Sequence, residues 1–297
     1  MIVAVCSAAL SVIFHSRYHF LAETLLYFVA VFSSFAFLKV LNTFSSLFPR
    51  RIEMFVHWIH AMTFELFALL GVLVVKLFRF SKNFQKPVGA LSGRPILLIH
   101  GYCNDGSVWT YLKKQLAKEG LGPLYTIDLG HPFRSIRDYV LKVKEKVAQI
   151  QGETNRSDLV LIGHSMGGLV GSLYTTNMAV ANTVTDVITI GSPLGGTHVA
   201  KLGIGPNAKE MQRSSELIKE LHQNIAKEKL VRFYHIGSNT DQMIIPSHSA
   251  LLNQHLSREF IFEDIGHVSM LFSPRIAQLI THWIRISETK ELGTEIA

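Results

Sequence analysis

Cysteine and charged residues are both scarce in this sequence. The two cysteines, Cys6 and Cys103, cannot build a disulfide framework, and we expect no bond between them because they lie in regions of different character. Cysteine use therefore does not indicate a compartment. Charged residues make up 17% of the chain, below the roughly one quarter that is typical of soluble domains. The apolar excess lies in roughly the first 80 residues, which indicates a membrane part followed by a globular part.

Long basic tracts are also missing, although the formal net charge is +7. Lysine and arginine occur in short scattered groups, and no segment interleaves them with aromatic residues as nucleic-acid surfaces do. The composition therefore argues against a nucleic-acid partner. Anionic lipid headgroups are a partner that this charge favours.

Two long apolar runs occupy the N-terminal part, at 20–41 and 54–78, with a polar segment at 42–53 between them. Each run reaches the ~20 residues that a helix needs to cross the hydrocarbon core of a bilayer. The pattern predicts an α-helical transmembrane hairpin within a membrane-anchoring region, 1–86, that precedes a globular domain, 87–297.

The orientation of this hairpin follows from its flanking charges. Basic residues are more numerous after the second run than in the turn before it. Because positively charged flanks stay on the cytoplasmic side, we expect an integral protein of the inner or cell membrane whose globular domain faces the cytoplasm. The bilayer is thus an expected partner, and the sequence does not indicate an oligomeric state.

Glu65 lies near the middle of the second run, where a lone carboxyl group is costly. One interpretation is that it is protonated or bonded to a hydroxyl of the first helix, such as that of Ser33 or Ser34. A transport role for the hairpin would rest on Glu65 alone.

From residue 95 onward, short apolar runs alternate with amphipathic segments. Strand-like runs occur at 95–99, 124–129, 158–162, 186–190, 231–236 and 260–262. Strands that alternate with helices predict βαβ units. The expected fold class is therefore α/β, with a mostly parallel sheet flanked by helices.

The strongest chemical motif is GHSMG at 163–167, which directly follows one predicted strand and precedes a helix. G-x-S-x-G in this setting indicates a nucleophile elbow, a sharp turn that exposes a serine hydroxyl. Gly163 and Gly167 keep side chains out of this turn. Ser165 is thus the candidate nucleophile.

A nucleophilic serine needs a base and an acid, which follow it in the order acid and then histidine. His267, just after the last predicted strand, is the favoured base over His248 and His255. Asp241 follows the preceding strand and is the favoured acid, whereas Asp264 stands only three residues before the histidine. A carboxylate in that place would orient the imidazole and stabilise its protonated form.

The third element is an oxyanion hole made of backbone N–H groups. The residue after the nucleophile, Met166, and Tyr102 in the loop after the first predicted strand are the candidates. Gly101 allows the loop to bend, and His100 is expected to hold it through bonds to nearby backbone.

Three stretches resemble the lipase and esterase branch of the α/β-hydrolases, in particular serine hydrolases similar to bacterial triacylglycerol lipases. They are ILLIHGY at 96–102, GHSMGG at 163–168 and IGSPLGGT at 190–197. The resemblance implies an α/β-hydrolase fold after the membrane region and cleavage of a lipid or acyl ester through an acyl-enzyme, with no metal or organic cofactor. It also implies a small lid within 197–230, for which an ordinary crossover helix is the alternative.

Two other functions stay open at this point. The same three side chains could pass the acyl group to an alcohol, which would make the protein an acyltransferase. A non-catalytic membrane scaffold or lipid-binding protein is the alternative from a different class, although such a protein has no need of a nucleophile, base and acid in this order.

Overall fold

A parallel six-stranded sheet is the centre of the fold. The computed structural model describes residues 50–77, 86–252 and 257–294. The sheet has the order β2-β1-β3-β4-β5-β6, and every neighbouring pair is parallel. The predicted α/β class and parallel sheet are confirmed. The strands are β1 (Ile96–Ile99), β2 (Leu124–Thr126), β3 (Leu159–His164), β4 (Val184–Ile190), β5 (Arg232–Ser238) and β6 (Ser257–Phe262).

Helices cover both faces of this sheet. Along β1, Leu97 and Ile99 belong to one buried apolar cluster and Ile96 and Leu98 to the other, because successive side chains of a strand point to opposite faces. Burial on both faces explains why the strands read as continuous apolar runs. The helices are α1 (Arg50–Leu77), α2 (Thr110–Lys118), α3 (Ile136–Thr154), α4 (Met166–Asn177), α5 (Pro206–Glu210), α6 (Glu216–Lys227) and α7 (Pro274–Thr294).

The two helical layers are formed by different parts of the chain. One layer consists of α3, α4 and α6, whose buried side chains share a cluster with one face of the sheet. The other consists of α1, α2 and α7. The N-terminal helix α1 therefore lies in the same layer as the last helix of the chain.

Helix α1 covers most of the second apolar run, which the sequence predicts to be a membrane span. Its inner face is buried at Ala61, Glu65, Ala68, Leu69 and Val72, and the last three join the core under the sheet. In the ranges 50–77, 86–252 and 257–294, no helix combines the length and apolarity needed to cross a bilayer. The expected hairpin is therefore not found in the described residues, and the first predicted span, 20–41, lies outside them.

The physical reason is that α1 is apolar on two faces. One face packs on the domain predicted at 87–297, and the other exposes Ile59, Phe64, Phe67 and Leu70. A run that is apolar on both sides resembles a membrane span in sequence, although one of its faces is used for protein packing. Helix α1 thus shares a core with the domain from which the predicted boundary at 86 separates it.

Candidate active site

Ser165 occupies the tight turn between β3 and α4. Its backbone has φ 55° and ψ −127°, a conformation that L-residues rarely adopt and that is retained mostly at functional sites. The Ser165 N–H donates to the Ile190 carbonyl at 2.9 Å, which ties the turn to the end of β4. The turn is therefore held by backbone on the neighbouring strand.

Glycines make this turn sterically feasible. A Cβ on Gly163 would stand 2.4 Å from the backbone nitrogen of Gly168, and one on Gly167 would stand 2.1 Å from the carbonyl oxygen of Ile99. A Cβ on Gly168 would meet the Ser192 hydroxyl at 2.0 Å. Each contact is far inside van der Waals distance, so α4 can approach β1 and β4 only with glycine at these positions.

Asp241 and His267 are in direct contact. His267 Nδ1 lies 2.8 Å from Asp241 Oδ2, and both side chains are buried. The other carboxylate oxygen, Oδ1, accepts hydrogen bonds from the backbone N–H groups of Met243 at 2.8 Å and Ile244 at 3.0 Å. Because an ionised carboxylate can only accept, the imidazole donates through Nδ1, which leaves Nε2 available as a base.

The surroundings favour the protonated form of His267. Burial opposes the charge on its ring, but the charge of Asp241, the hydrogen bond to Asp241 and the charge of Glu65 together raise the pKa of His267 above its ordinary value of 6.5. This is the direction that a base needs if it must hold a proton during the reaction.

Asp241 and His267 lie beside the end of β4, to which the Ser165 N–H is bonded. Gly191, next to Ile190, adopts φ 52°, and a Cβ there would stand 3.1 Å from Asp241 Oδ2 and 3.3 Å from His267 Nδ1. Among the described residues, the Ser165 hydroxyl makes no hydrogen bond with His267. Hydrogen bonds of this kind are often long without substrate and shorten when it binds.

The residues considered as alternatives to Asp241 and His267 either lie elsewhere in the structure or fall outside the described residues. Asp264 forms an ion pair with Arg275 at 2.7 Å, and this bond together with the Arg275 charge lowers the pKa of Asp264 against the effect of burial. His248 lies in a short 3-10 turn, 247–250. His255 is not among the described residues.

The two candidate oxyanion donors belong to segments next to Ser165. Met166 follows it in the chain, and a Cβ on Gly101 would lie 2.8 Å from Ser165 Cβ, so the loop that contains Tyr102 packs directly on Ser165. Within the described ranges, the backbone N–H groups of Tyr102 and Met166 form no hydrogen bond. His100 is buried and accepts from the Leu129 N–H at 3.0 Å, and this bond holds the loop from its other side.

The segment expected to hold a lid contains two parts. Helix α6 is the crossover between β4 and β5 and packs in the core through Leu217 and Leu221. Before it, the backbone of Ile204 exchanges two hydrogen bonds with the Tyr102 hydroxyl, at 2.8 and 3.0 Å. The stretch 199–210 therefore contacts the candidate oxyanion loop, whereas α6 matches the alternative of a crossover helix.

Two further residues belong to this site but were not predicted from the sequence. His164 Nε2 donates to the His267 carbonyl at 3.0 Å. Burial and the charge of His267 lower the pKa of His164 well below 6.5. Glu65 accepts from the backbone of Val268 and Ser269. The cost of burying its carboxyl was a signal that it needs partners, but nothing in the sequence identifies them.

Within the part of the chain that the structure describes, histidine, cysteine, aspartate and glutamate side chains form no group of three or more that could hold a metal ion.

Residues 96–223 match the family model described as alpha/beta hydrolase family. The fold also matches solved structures of proteins that are named lipases or esterases. The chain has the α/β-hydrolase fold. The resemblance to the α/β-hydrolases, first seen in three short stretches of sequence, is thereby confirmed.

Three of the similar structures are enzymes by name. A lipase from Bacillus licheniformis in its mature form superposes with a TM-score of 0.57 at 16% identity, covering 68% of this chain and 96% of that one. An esterase from Exiguobacterium antarcticum gives 0.52 at 15%, covering 67% and 94%. A monoacylglycerol lipase from Paleococcus ferrophilus gives 0.51 at 15%, covering 66% and 96%. At these identities the likeness concerns the fold.

Replacing Gly167 with alanine should disrupt the elbow, because the new Cβ would overlap the Ile99 carbonyl. We expect a loss of about 2 kcal/mol or more in the free energy of unfolding, measured by denaturant titration. Gly152 of α3 is the matched control, since a Cβ there meets nothing within 4 Å. Gly152→Ala should be neutral or stabilise by up to about 1 kcal/mol, and equal losses in the two variants would contradict this account.

Proposed function

We propose that the protein is a membrane-associated serine hydrolase that cleaves carboxylic esters through an acyl-enzyme. The observation that carries the proposal is the buried contact of 2.8 Å between Asp241 and His267, beside a strained, glycine-packed turn that presents Ser165. An α/β-hydrolase fold supports the same reaction class but does not by itself assign an activity.

The proposed reaction begins when His267 Nε2 takes the proton of the Ser165 hydroxyl. Ser165 Oγ attacks the ester carbonyl, and the backbone N–H groups of Met166 and Tyr102 bind the oxygen that becomes negative. Collapse of this intermediate breaks the bond to the leaving alcohol, which receives the proton from His267. Water then attacks the acyl-Ser165 ester with His267 again as the base, which releases the acid and restores the serine.

Three features of the geometry support this proposed reaction. Asp241 is held by two backbone N–H groups and by His267, so its orientation is determined before substrate binds. The candidate oxyanion donors are backbone groups on packed segments, and such fixed donors contribute about 3 kcal/mol each in comparable sites. Burial of His267 strengthens its interaction with the Asp241 charge.

A lipid or other long-chain acyl ester is the proposed substrate class. The apolar run at 20–41 supports attachment to a bilayer, and the outward face of α1 exposes Phe64 at 53% and Phe67 at 64%. A large exposed apolar surface of this kind is typical of sites that meet a membrane or a partner. A catalytic domain held beside a bilayer would meet acyl esters at high local concentration.

Hydrolysis of p-nitrophenyl esters tests the proposed activity. The detergent-solubilised protein should cleave these esters, and Ser165→Ala should lower kcat by at least about 10³-fold, since without the nucleophile only substrate binding and the oxyanion donors remain. The profile over acyl length would separate a long-chain lipase from a short-chain esterase. Ser247→Ala, in the 3-10 turn Ser247–Ala250, is the control and should keep the activity. Retention of activity in Ser165→Ala would exclude this serine as the nucleophile.

The pH dependence of kcat/KM tests the base. His267 acts only when unprotonated, so kcat/KM should rise with pH, and the midpoint should lie above 6.5 because the pKa of His267 is raised. Loss of the negative charge in Asp241→Asn should move this midpoint down as well as reduce the rate. Rates measured over about pH 5 to 9 cover the range in which histidine titrates.

Asp264→Asn is the matched control for this profile. It also removes an aspartate charge near His267 in sequence, but its side chain is paired with Arg275. The midpoint should therefore stay where it is in the unchanged protein. A midpoint below 6.5, or one that Asp241→Asn leaves unmoved, would argue against His267 as the base.

Membrane attachment, with the catalytic domain on the cytoplasmic side, can be tested on membranes prepared from cells that express the chain. The full chain should stay in the membrane pellet after alkaline carbonate extraction, because an apolar span of about 20 residues is held by the bilayer core. Protease should digest the domain in inverted vesicles but not in right-side-out ones. Release by carbonate would contradict the anchor, and the reverse protease pattern would contradict only the orientation.

A further inference from the structure

Glu65 is a buried carboxyl group that the proposed reaction does not use. It lies on the inner face of α1 and is 2% exposed. Oε1 accepts a hydrogen bond from the Val268 N–H and Oε2 accepts one from the Ser269 N–H, both at 2.8 Å. Each carboxyl oxygen therefore has its own backbone donor.

These two donors are the residues immediately after His267. On the other side of the same loop, His164 donates to the His267 carbonyl. The backbone around the base is thus held at three consecutive residues, 267–269. Two of the three bonds come from a single side chain of a helix that lies about 200 positions earlier in the chain.

Packing also brings Glu65 against the residue before the base. A Cβ on Gly266 would stand 2.5 Å from Glu65 Oε2 and 3.0 Å from Glu65 Cδ. The φ of Gly266 lies outside the left-handed region, so backbone conformation does not require glycine here. The need for glycine at 266 comes from the closeness of the loop to this carboxyl.

Burying a carboxyl group has a large desolvation cost, which is offset only when its oxygens are well bonded. An apolar side chain would fill the same position on α1 without that cost. It could not accept hydrogen bonds from the two backbone N–H groups that follow His267. The chemistry that distinguishes glutamate from leucine at this position is therefore directed at the loop of the base.

We propose that Glu65 is a positioning residue for His267: its two hydrogen bonds hold 266–269 in the arrangement that aims the imidazole at Asp241 and Ser165. This inference rests on the proposed function of His267 as the base. It makes α1 a part of the catalytic unit rather than only an attachment to the membrane.

Substitution at Glu65 tests this inference in the full chain. Glu65→Ala removes both bonds, and we expect kcat for p-nitrophenyl ester hydrolysis to fall about 10- to 100-fold, since a displacement near 1 Å in a catalytic group can have an effect of that size. KM should change by less than about twofold because the bonds of Glu65 go to the loop of His267, and a group that acts through the base affects kcat rather than uniform binding. Glu65→Gln keeps one acceptor oxygen and should give an intermediate kcat.

Leu69→Ala is the matched control for lost packing. Leu69 lies on the same face of α1 and is buried in the same layer, but it makes no bond to the loop of the base. We expect Leu69→Ala to lower the melting temperature by at least as much as Glu65→Gln while leaving kcat unchanged. If kcat falls in both variants in proportion to their loss of stability, Glu65 has only a structural role and the inference is wrong.

Gly266→Ala provides a second test that does not require loss of Glu65. The added methyl group would push on the carboxyl, so kcat should fall. In the Glu65→Ala background the shortest overlap is gone, and the same substitution should reduce kcat by a smaller factor. Equal factors in the two backgrounds would show that the residues act independently and would overturn the inference.

The outcomes separate this inference from the proposed function. An unchanged protein that hydrolyses no ester and does not react with a fluorophosphonate would overturn both. An active unchanged protein whose kcat is the same in Glu65→Ala would overturn only the role of Glu65.

Discussion

The close approach of the Ser165 turn to its neighbouring strands is the constraint on which the site depends. Gly167 lies against the Ile99 carbonyl, and Gly101 lies against Ser165 itself. The Ser165 N–H then ties the turn to Ile190, whose neighbour Gly191 packs on Asp241 and His267. The contacts of Gly167 with Ile99 and of Ser165 with Ile190 are between backbone atoms, so the strand ends are brought together whatever the orientation of the side chains.

Much of this arrangement can be predicted from the sequence because its signals are local. A strand buried on both faces is a short apolar run, and G-x-S-x-G between a strand and a helix leaves few alternatives. Asp241 and His267 follow from their places after the last two strands. Parallel strands end at one edge of a sheet, so residues far apart in sequence are expected to meet there. The structure brings Asp241 and His267 into contact at that edge.

The role of α1 could not be predicted in the same way. A helix that packs on a protein core with one face and exposes apolar side chains on the other resembles a membrane span in its run of apolar residues. The sequence pattern does not show which face is buried in the protein. Glu65 shows the same limit. The cost of burying its carboxyl group can be inferred from the sequence. Its partners cannot, because they are the backbone N–H groups of Val268 and Ser269, and a backbone N–H group is present whatever the side chain. The contact spans more than 200 positions, beyond the reach of any periodicity.

The central claim is that Ser165 is a nucleophile activated by the His267–Asp241 pair. Reaction of the full chain with a fluorophosphonate, followed by digestion and mass spectrometry, tests it most directly because the reagent forms a stable adduct only with an activated hydroxyl. The account predicts one adduct, on the peptide that contains Ser165, and its loss in His267→Ala. An adduct on another serine, or full labelling of Ser165 without His267, would contradict it.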